Sequence, residues 1–255
     1  ITPCPLKGTQ DRYVMVRREI TEFKELEKKY YESQKLAAIG QLSAGIAHEV
    51  RNPLSSIKMS LQILEKRLQP TGNDLKRFRI AQREVEHLEE LVNDVLIYAK
   101  PGDPKRVPTD LRRTIENALE MVEKAVTDKS IAVVVEVEEE LPHPVIDGVM
   151  LEQAFQNIFR NAIDAMGEGG RLYVSARDLG ADPHAVAVEI VDNGCGMDEE
   201  TISHMFNPFF TQKRYGTGLG MTQVKKIIDL HRGNIEIESK KGEGTKIVIT
   251  LPIHE

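Results

Sequence analysis

The sequence predicts two structural units in succession, a hairpin of two long helices and an α+β two-layer sandwich. Apolar residues recur every three or four positions through about residues 20–99, which is typical of helices that pair along a seam. The segment PGDPKRVP (101–108) then interrupts the pattern, because proline and glycine end helices. Beyond it, helices mix with short alternating strands without strict βαβ order, which favours a sandwich over a doubly wound sheet.

Composition limits the classes of function. The 255 residues suffice for one or two domains of roughly 100–200 residues each. With 34 Lys and Arg against 40 Asp and Glu, the net charge is −6, which excludes a general basic surface for nucleic acid. No apolar run approaches the roughly 18–20 residues that span a bilayer, and no secretory leader opens the chain. We expect a cytoplasmic protein, or the cytoplasmic portion of a membrane-anchored parent that carries its anchor upstream. The two cysteines, Cys4 and Cys195, fit a reducing setting.

The predicted hairpin has its first helix from Ile20 to about Leu68 and its second helix to about Ala99. A breaker cluster, QPTGND (69–74), separates them. One hairpin cannot bury so long an apolar seam by itself, so we expect a homodimer with a four-helix bundle. The pattern alone also allows residues 20–99 to be only a dimerising spacer.

The predicted sandwich contains three helices, five strands and a glycine-rich stretch at 192–220. The helices are expected at about 110–127, at 149–166 and up to His231, where Gly233 caps the last one. The strands are expected at 131–137, 171–177, 185–191, 234–239 and 246–251.

Three polar residues share one face of the helix at 149–166. Asn157, Asn161 and Asp164 follow one another at spacings of four and three, beside an apolar stripe. Asparagine is a poor residue inside a helix, so two of them one turn apart suggest a ligand. Their oxygens suit a hard cation such as Mg²⁺, which also keeps substrate phosphates in its shell. Solvated amides are the alternative.

A second candidate lies where the strand ends at Asp192, in VDNGCGM. Gly194 and Gly196 permit unusual dihedral angles and close approach of a ligand to the backbone. A carboxylate there accepts a hydrogen bond from an exocyclic amine, which adenine has at position 6 and guanine lacks. An ordinary Asp-Asn-Gly turn is the alternative.

A third candidate is the glycine run YGTGLGM (215–221), with glycines at 216, 218 and 220 before an apolar helix. Free N–H groups at a helix start bind anions. The spacing matches neither the dinucleotide fingerprint nor a Walker loop. The Asn pair, the Asp-Gly turn and the glycine run together, in this order over about 65 residues, are a strong signal.

Between these motifs lies FNPFFTQKR. We interpret Phe206, Phe209 and Phe210 as a hydrophobic anchor for the loop. Lys213 and Arg214 stand beside the glycine run and are placed to meet phosphate charge, with solvated surface cations as the alternative.

The fourth candidate is HEVRNPL (48–54) on the first long helix. His48 is a nucleophile when its imidazole is neutral. Glu49 is adjacent and able to polarise the ring, and Asn52 lies one turn along the same face. Pro53 removes a backbone donor and is expected to bend the helix beside the histidine.

These motifs resemble those of sensor histidine kinases of two-component systems, of the nitrogen-regulation subgroup, over about 36–251. LAAIGQLSAGIAHEVRNPLSSI resembles the H box, LEQAFQNIFRNAIDAM the N box and VDNGCGM the G1 box. FNPFFTQK resembles the F box, and GTGLGM the G2 box. The loop between the last two boxes is shorter than in many family members.

The resemblance implies a dimerisation and histidine-phosphotransfer domain followed by a catalytic domain with the Bergerat ATP-binding fold of histidine kinases and gyrase. The implied organisation is a remnant of an upstream, PAS-like domain at 1–19, a coiled-coil linker at 20–35, the phosphotransfer domain at 36–100, a hinge at 101–108 and the catalytic domain at 109–255.

The resemblance also implies roles for individual residues. His48 would accept the γ-phosphoryl group of ATP, Glu49 would activate it, and Asn52 would position water for dephosphorylation of the partner. Asn161 would be the Mg²⁺ ligand, with Asn157 near the phosphates, and Asp192 would bind the adenine amine. The remaining nucleotide-binding residues would be Asp164, Gly194, Gly196, Lys213, Arg214, Gly216, Thr217, Gly218, Leu219 and Gly220.

The implied partners are a second copy of the chain and the receiver domain of a response regulator. Two other functions compete. One is an ATP-driven conformational machine like the gyrase and mismatch-repair relatives, which lack the H box. The other is a signalling scaffold with an inactive nucleotide site.

Overall fold

The computed structural model describes residues 2–5, 13–16, 50, 52–99, 103–180, 184–213 and 216–254. In the N-terminal region, strand β1 (Thr2–Pro5) pairs antiparallel with β2 (Tyr13–Val16). The alternating residues Tyr13 to Val16 predict the short strand β2, whereas no pattern in the sequence predicts β1. The expected coiled-coil linker, 20–35, lies outside the described residues.

Two helices form an antiparallel hairpin. Helix α1 covers 52–68, and α2 covers Gly72–Ala99 after a turn at 69–71. Polar contacts join the helices: Lys58 Nζ donates to Glu89 Oε2 at 2.9 Å, and Gln82 Nε2 donates to Glu65 Oε2 at 2.7 Å. Lys58 pairs with Glu89, whereas Glu65, further along α1, pairs with the earlier residue Gln82 of α2. The two helices therefore run in opposite directions.

The sandwich that follows has a five-stranded sheet with helices on one face. Its elements in chain order are β3 (Val107–Pro108), α3 (Leu111–Glu120), α4 (Glu123–Asp128), β4 (Ala132–Val137), β5 (Val145–Ile146), α5 (Gly148–Ala165), β6 (Arg171–Asp178), β7 (Ala185–Asp192), α6 (Glu199–His204), α7 (Gly220–Leu230), β8 (Asn234–Lys240) and β9 (Gly244–Pro252). The sheet order is β4-β6-β7-β9-β8, in which only β4 and β6 pair in parallel. Strand β3 pairs with β5 in a separate two-stranded ribbon.

The core lies between the sheet and the layer formed by α3, α5 and α7. On β6, Leu172, Val174 and Ala176 are buried, and the residues between them are not, which is the alternation of a sheet with one covered face. Phe155 and Phe159 of α5 are fully buried, and their stacked rings lie 6.2 Å apart. Helix α5 is therefore fixed at the centre of the sandwich.

Three details differ from the sequence-based expectation. The helix expected at 110–127 is two helices, because the chain turns at Met121 and Val122. Helix α6 forms inside the glycine-rich stretch, where Asp198 Oδ1 accepts the N–H of Thr201 as an N-cap. At the end of α7 the left-handed residue is Arg232 (φ 54°) rather than Gly233, whose N–H bonds to the Ile228 carbonyl at 2.9 Å.

The segment 103–108, in the expected hinge, is attached to the sandwich. Lys105 N donates to Asp147 Oδ2 at 2.8 Å, and Arg106 Nη2 donates to the Leu230 carbonyl at 2.7 Å. Val107 then pairs with Ile146. No helix among the described residues is long and apolar enough to cross a membrane.

Candidate nucleotide site

Helix α5 presents the first group of candidate residues. Its N-cap Asp147 accepts the N–H groups of Val149 and Met150, which fixes the start of the helix. The apolar stripe of α5 is buried in the core, whereas Asn157 and Asn161 are half-buried beside it and Asp164 is exposed. The three polar residues thus border one open side of the helix, as the spacing predicts.

The ammonium group of Lys213 lies between two of these residues. Lys213 Nζ donates to Asn161 Oδ1 at 2.7 Å and to Asp164 Oδ2 at 2.7 Å, so an amide oxygen and a carboxylate oxygen converge on one cationic centre. Oxygen ligands of this kind are what Mg²⁺ prefers. The described residues hold no cluster of three or more His, Cys, Asp or Glu that could bind a metal alone. A divalent cation here would therefore take its remaining ligands from water and nucleotide phosphates.

Asn157 has a different partner. Its Nδ2 donates to Oε1 of Gln223 on α7 at 3.2 Å. Gln223 is only 4% exposed, and Asn157 also lies against Gly220 at the start of α7. Nothing in the sequence marks Gln223 as a site residue, because it stands in an apolar helix pattern whose contact with α5 appears only in the tertiary structure.

Asp192 ends β7 in a buried position. It is 8% exposed, and its Oδ1 accepts the N–H of Gly194 at 2.8 Å. Burial raises the pKa of the Asp192 carboxyl above its usual value, and the backbone N–H groups of Gly194 and Thr245 oppose that rise. A buried hydrogen-bond acceptor at the end of a strand suits the amine edge of a flat base.

The loop after Asp192 is tied to α5 and to the β8–β9 hairpin. Cys195 N donates to the Ala165 carbonyl at 3.0 Å, and the Cys195 carbonyl accepts from Gly242 N at 2.7 Å. Gly196 has φ 61°, and any side chain there would collide with the Lys240 carbonyl oxygen. The loop therefore requires glycine at this position.

The segment between α6 and α7 covers the same side of the molecule. Thr222 Oγ1 donates to the Phe206 carbonyl at 3.1 Å, and Phe209 N donates to the Gly218 carbonyl at 3.0 Å. Gly218 has φ 68°, and a side chain there would strike the Phe209 backbone. The expected three-residue anchor is only partly right: Phe206 packs against the core, whereas Phe209 is 60% exposed.

The start of α7 follows this segment directly. Leu219 is 1% exposed, and its N–H donates to Thr217 Oγ1 at 3.2 Å. No side chain of the described residues caps the first turn of α7, and N–H groups at a helix start suit an anion. Gly216 and Gly220 flank these residues and are half-buried.

The phospho-acceptor motif is described only in part. His48 and Glu49 lie outside the described residues, as does Arg214. Asn52 and Pro53 are exposed at the start of α1, and the Asn52 carbonyl accepts the Ser56 hydroxyl at 3.0 Å. The described residues thus bring together the α5, β7 and α7 candidates, and Asn52 stands apart on the hairpin.

Comparison with known proteins also separates the hairpin region from the sandwich region. Residues 38–104 match the family model of the His Kinase A (phospho-acceptor) domain, and residues 146–255 match that of the histidine kinase-, DNA gyrase B- and HSP90-like ATPase. Sporulation kinase E of Bacillus subtilis is 31% identical over 246 residues, which cover 96% of this chain and 33% of that protein. The sensor histidine kinase ZraS of Escherichia coli is 32% identical over 238 residues, which cover 93% of this chain and 50% of that protein. The chain thus spans a third to a half of these relatives.

Solved structures give the same result. Histidine kinase ThkA, in a complex with the response regulator protein TrrA, matches with a TM-score of 0.63 and 26% identity, over 92% of this chain and 68% of that one. Full-length ShkA in complex with AMPPNP has a TM-score of 0.69 at 24% identity, over 84% of this chain and 46% of that one, which supports the fold. A phospho-acceptor domain followed by an ATPase domain places this chain in the family of two-component sensor histidine kinases.

Proposed function

We propose that the chain is the catalytic portion of a sensor kinase that transfers the γ-phosphoryl group of ATP to His48, and from there to an aspartate of a response regulator. The observation that carries the proposal is the convergence of Asn161, Asp164 and Lys213 on one side of α5, with the buried carboxylate of Asp192 at the end of the neighbouring β7. The site thus combines charged and amide groups that suit phosphates and a cation with a buried hydrogen-bond acceptor that suits a nucleotide base.

The proposed nucleotide orientation follows from these groups. Asp192 accepts a hydrogen bond from the adenine amine, and Gly194 and Gly196 leave room for the ring. The phosphates, together with the cation bound to them, lie toward the start of α7, with Gly216, Thr217, Gly218, Leu219 and Gly220. Lys213, and Arg214 by its neighbouring position, supply positive charge to the phosphates.

Asn161 and Asp164 would hold Mg²⁺, because their oxygens already converge on the ammonium of Lys213. The ion supplies neutralisation of phosphate charge when bound. On this proposal, Lys213 must leave its position between the two oxygens and turn toward the phosphates when the metal–nucleotide complex enters.

The transfer itself takes place on the hairpin. A neutral imidazole nitrogen of His48 attacks the γ-phosphorus, the bond from phosphorus to the bridging oxygen of ADP breaks, and ADP leaves. Glu49 assists by polarising the ring and accepting its proton. An aspartate of the response regulator then takes the phosphoryl group from His48. In the separate dephosphorylation of the regulator, Asn52 orients the attacking water.

The attack requires His48 to come within roughly 3–3.5 Å of the γ-phosphorus, so the two units must move relative to each other. Lys105, Arg106 and Val107 are bonded to the sandwich, which leaves the pivot of this proposed motion on the N-terminal side of Lys105. Rigidifying 101–108 is expected to change both kinase and phosphatase rates.

The assembly is proposed to be a homodimer, because the hairpin leaves large apolar side chains such as Met59 and Leu68 exposed. We also propose the domain limits given by the motifs, with the phosphotransfer domain at 36–100 and the catalytic domain at 109–255. Assignment to the nitrogen-regulation subgroup is likewise a prediction from the resemblance, and so is a cytoplasmic location, either of a cytoplasmic protein or of the cytoplasmic portion of a membrane-anchored parent.

Incubation of the chain with γ-labelled ATP and Mg²⁺ tests the proposal. We expect acid-labile label on the protein that is lost in His48→Gln and retained in His87→Gln, a matched control on α2. Label should pass to a receiver domain added afterwards. Release of free phosphate without labelled protein would instead indicate an ATP-driven machine, and no turnover would indicate a scaffold.

A further inference from the structure

We propose that Gln223 is a positioning residue that turns the side-chain carbonyl of Asn157 toward the metal side of the nucleotide site. The inference rests on the proposed function, in which α5 faces a Mg²⁺–ATP complex. It starts from the contact between two helices: Gln223 Oε1 on α7 accepts a hydrogen bond from Asn157 Nδ2 on α5 at 3.2 Å.

The contact fixes which end of the Asn157 amide faces the ligand. A primary amide has a donor end, Nδ2, and an acceptor end, Oδ1, and these suit opposite charges. With Nδ2 committed to Gln223, Oδ1 is the end that lies against Gly220 at the start of α7. An oxygen there repels phosphate oxygens but attracts a cation or a water bound to it. Gln223 thereby assigns Asn157 to the cation.

Burial makes this orientation specific. Gln223 is 4% exposed, and a buried amide must find a hydrogen-bond partner in the protein. Its neighbour on α7, Val224, is fully buried, and on α5 so are Phe155 and Ile158. Because both helices are held by the core, the two amides meet in a fixed geometry. The amide of Asn157 would have no such restraint if residue 223 were apolar.

Two substitutions separate positioning from packing. Gln223→Met keeps the side-chain volume and removes the acceptor, whereas Gln223→Glu keeps an acceptor and cannot donate. Lys225→Met is the control, because it places the same new side chain on α7 at a half-exposed position, where Lys225 Nζ donates to Asp229 Oδ1. Binding of the fluorescent nucleotide TNP-ATP to the full chain is titrated with Mg²⁺, and in parallel in EDTA, and thermal melting confirms that each variant is folded.

We expect Gln223→Met to need about three to ten times more Mg²⁺ for half-maximal binding, which is the usual effect of losing one neutral hydrogen bond. Its affinity in EDTA should stay within about twofold of wild type. Gln223→Glu should need no more Mg²⁺ than wild type, and Lys225→Met should match wild type in both titrations.

The inference is overturned if Gln223→Met has the wild-type Mg²⁺ requirement, or if its affinity falls equally in EDTA. If Gln223→Met does not fold, an increased Mg²⁺ requirement in Gln223→Glu overturns it instead. Wild-type binding that depends on Mg²⁺ while Gln223→Met behaves identically rejects this inference and leaves the proposed function intact. Wild-type binding without Mg²⁺ dependence rejects both.

Discussion

Among the side chains of the hairpin that the structure describes, seven large apolar ones are between 44% and 64% exposed, namely Ile57, Met59, Ile63, Leu64, Leu68, Ile80 and Leu88. In the sandwich, by contrast, α5 buries its apolar stripe, and strands β6 and β9 bury alternate residues beneath it. The central strand β7 buries four successive residues, Ala185 to Val188. Among the described hairpin residues with assigned burial, only Leu54 and Val85 are buried. The sandwich therefore completes its own core within one chain, whereas the hairpin needs a second surface to cover it. That difference is what supports the proposed homodimer.

The largest effect is expected from a charge in the hairpin. In a symmetric dimer, Leu88→Glu removes two buried leucine side chains, each worth about 1.5–3 kcal/mol, so the dimer should weaken by about two orders of magnitude or more. Sedimentation of the full chain at several concentrations measures this. Arg83→Ala makes the same change of net charge on α2 and should leave the dimer intact. A Leu88→Glu chain that sediments as wild type would remove the contrast between the two units.

A core truncation tests the sandwich as a self-sufficient unit. Phe155→Ala should lower the free energy of unfolding of the sandwich by about 3–5 kcal/mol, because it leaves a cavity among fully buried neighbours. Urea unfolding followed by circular dichroism gives the value. Phe209→Ala, at a site 60% exposed, should change it by less than about 0.5 kcal/mol. Equal effects of both substitutions would contradict the assignment of the core.

Substitution of Asp192 should weaken nucleotide binding without lowering the stability of the fold. Asp192→Asn removes the carboxylate and should weaken adenine-nucleotide binding by roughly 10- to 100-fold, the effect of a hydrogen bond to a charged group. Its melting temperature at neutral pH should equal or exceed that of wild type. The reason is that burial raises the pKa of Asp192, so the folded state pays for holding the ionised form. Calorimetry and nucleotide titration measure the two effects, and a large drop in melting temperature would contradict the second.

The smallest expected effect is the pH dependence of stability that comes from His231, beside the contact of segment 103–108 with the sandwich. His231 is buried, its Nε2 accepts the Asp147 N–H at 2.9 Å, and its Nδ1 lies 2.7 Å from the Ile227 carbonyl. This arrangement suits the neutral ring, and burial lowers the pKa of His231 below 6.5, with Arg106 lowering it and Asp147 raising it as further influences.

As pH falls below about 6.5, the unfolded chain takes up the proton first, so stability should decrease until the folded-state pKa is passed. The slope from this group is at most about 1.4 kcal/mol per pH unit. The melting temperature should depend less on pH across this range in His231→Gln than in wild type. In His143→Gln, where the replaced histidine is exposed, its pH dependence should be that of wild type. An unchanged slope in His231→Gln would assign the pH dependence to other groups.

Much of the site could be predicted because its motifs are local. The i, i+3 and i+4 spacing places Asn157, Asn161 and Asp164 on one side of α5, and a strand ending in Asp192 delivers the carboxylate to a glycine turn. Helix α6 escaped prediction, since its capping residue Asp198 stands in a stretch dominated by glycine signals. The short strand β5 was missed as well, because two residues carry no periodicity and its partner β3 lies far away in the chain.

The sequence alone determined which unit forms helices, which unit forms the sandwich and which polar residues share one side of α5, because periodicity and turn chemistry act over a few neighbouring residues. Only the tertiary structure decided the pairings between elements: the ammonium of Lys213 between Asn161 and Asp164, the contact of Gln223 with Asn157, and the attachment of segment 103–108 through Asp147, Leu230 and Ile146. Such contacts join residues 39 to 124 positions apart. Their partners are chosen by how the helices pack on the sheet, which no local pattern records.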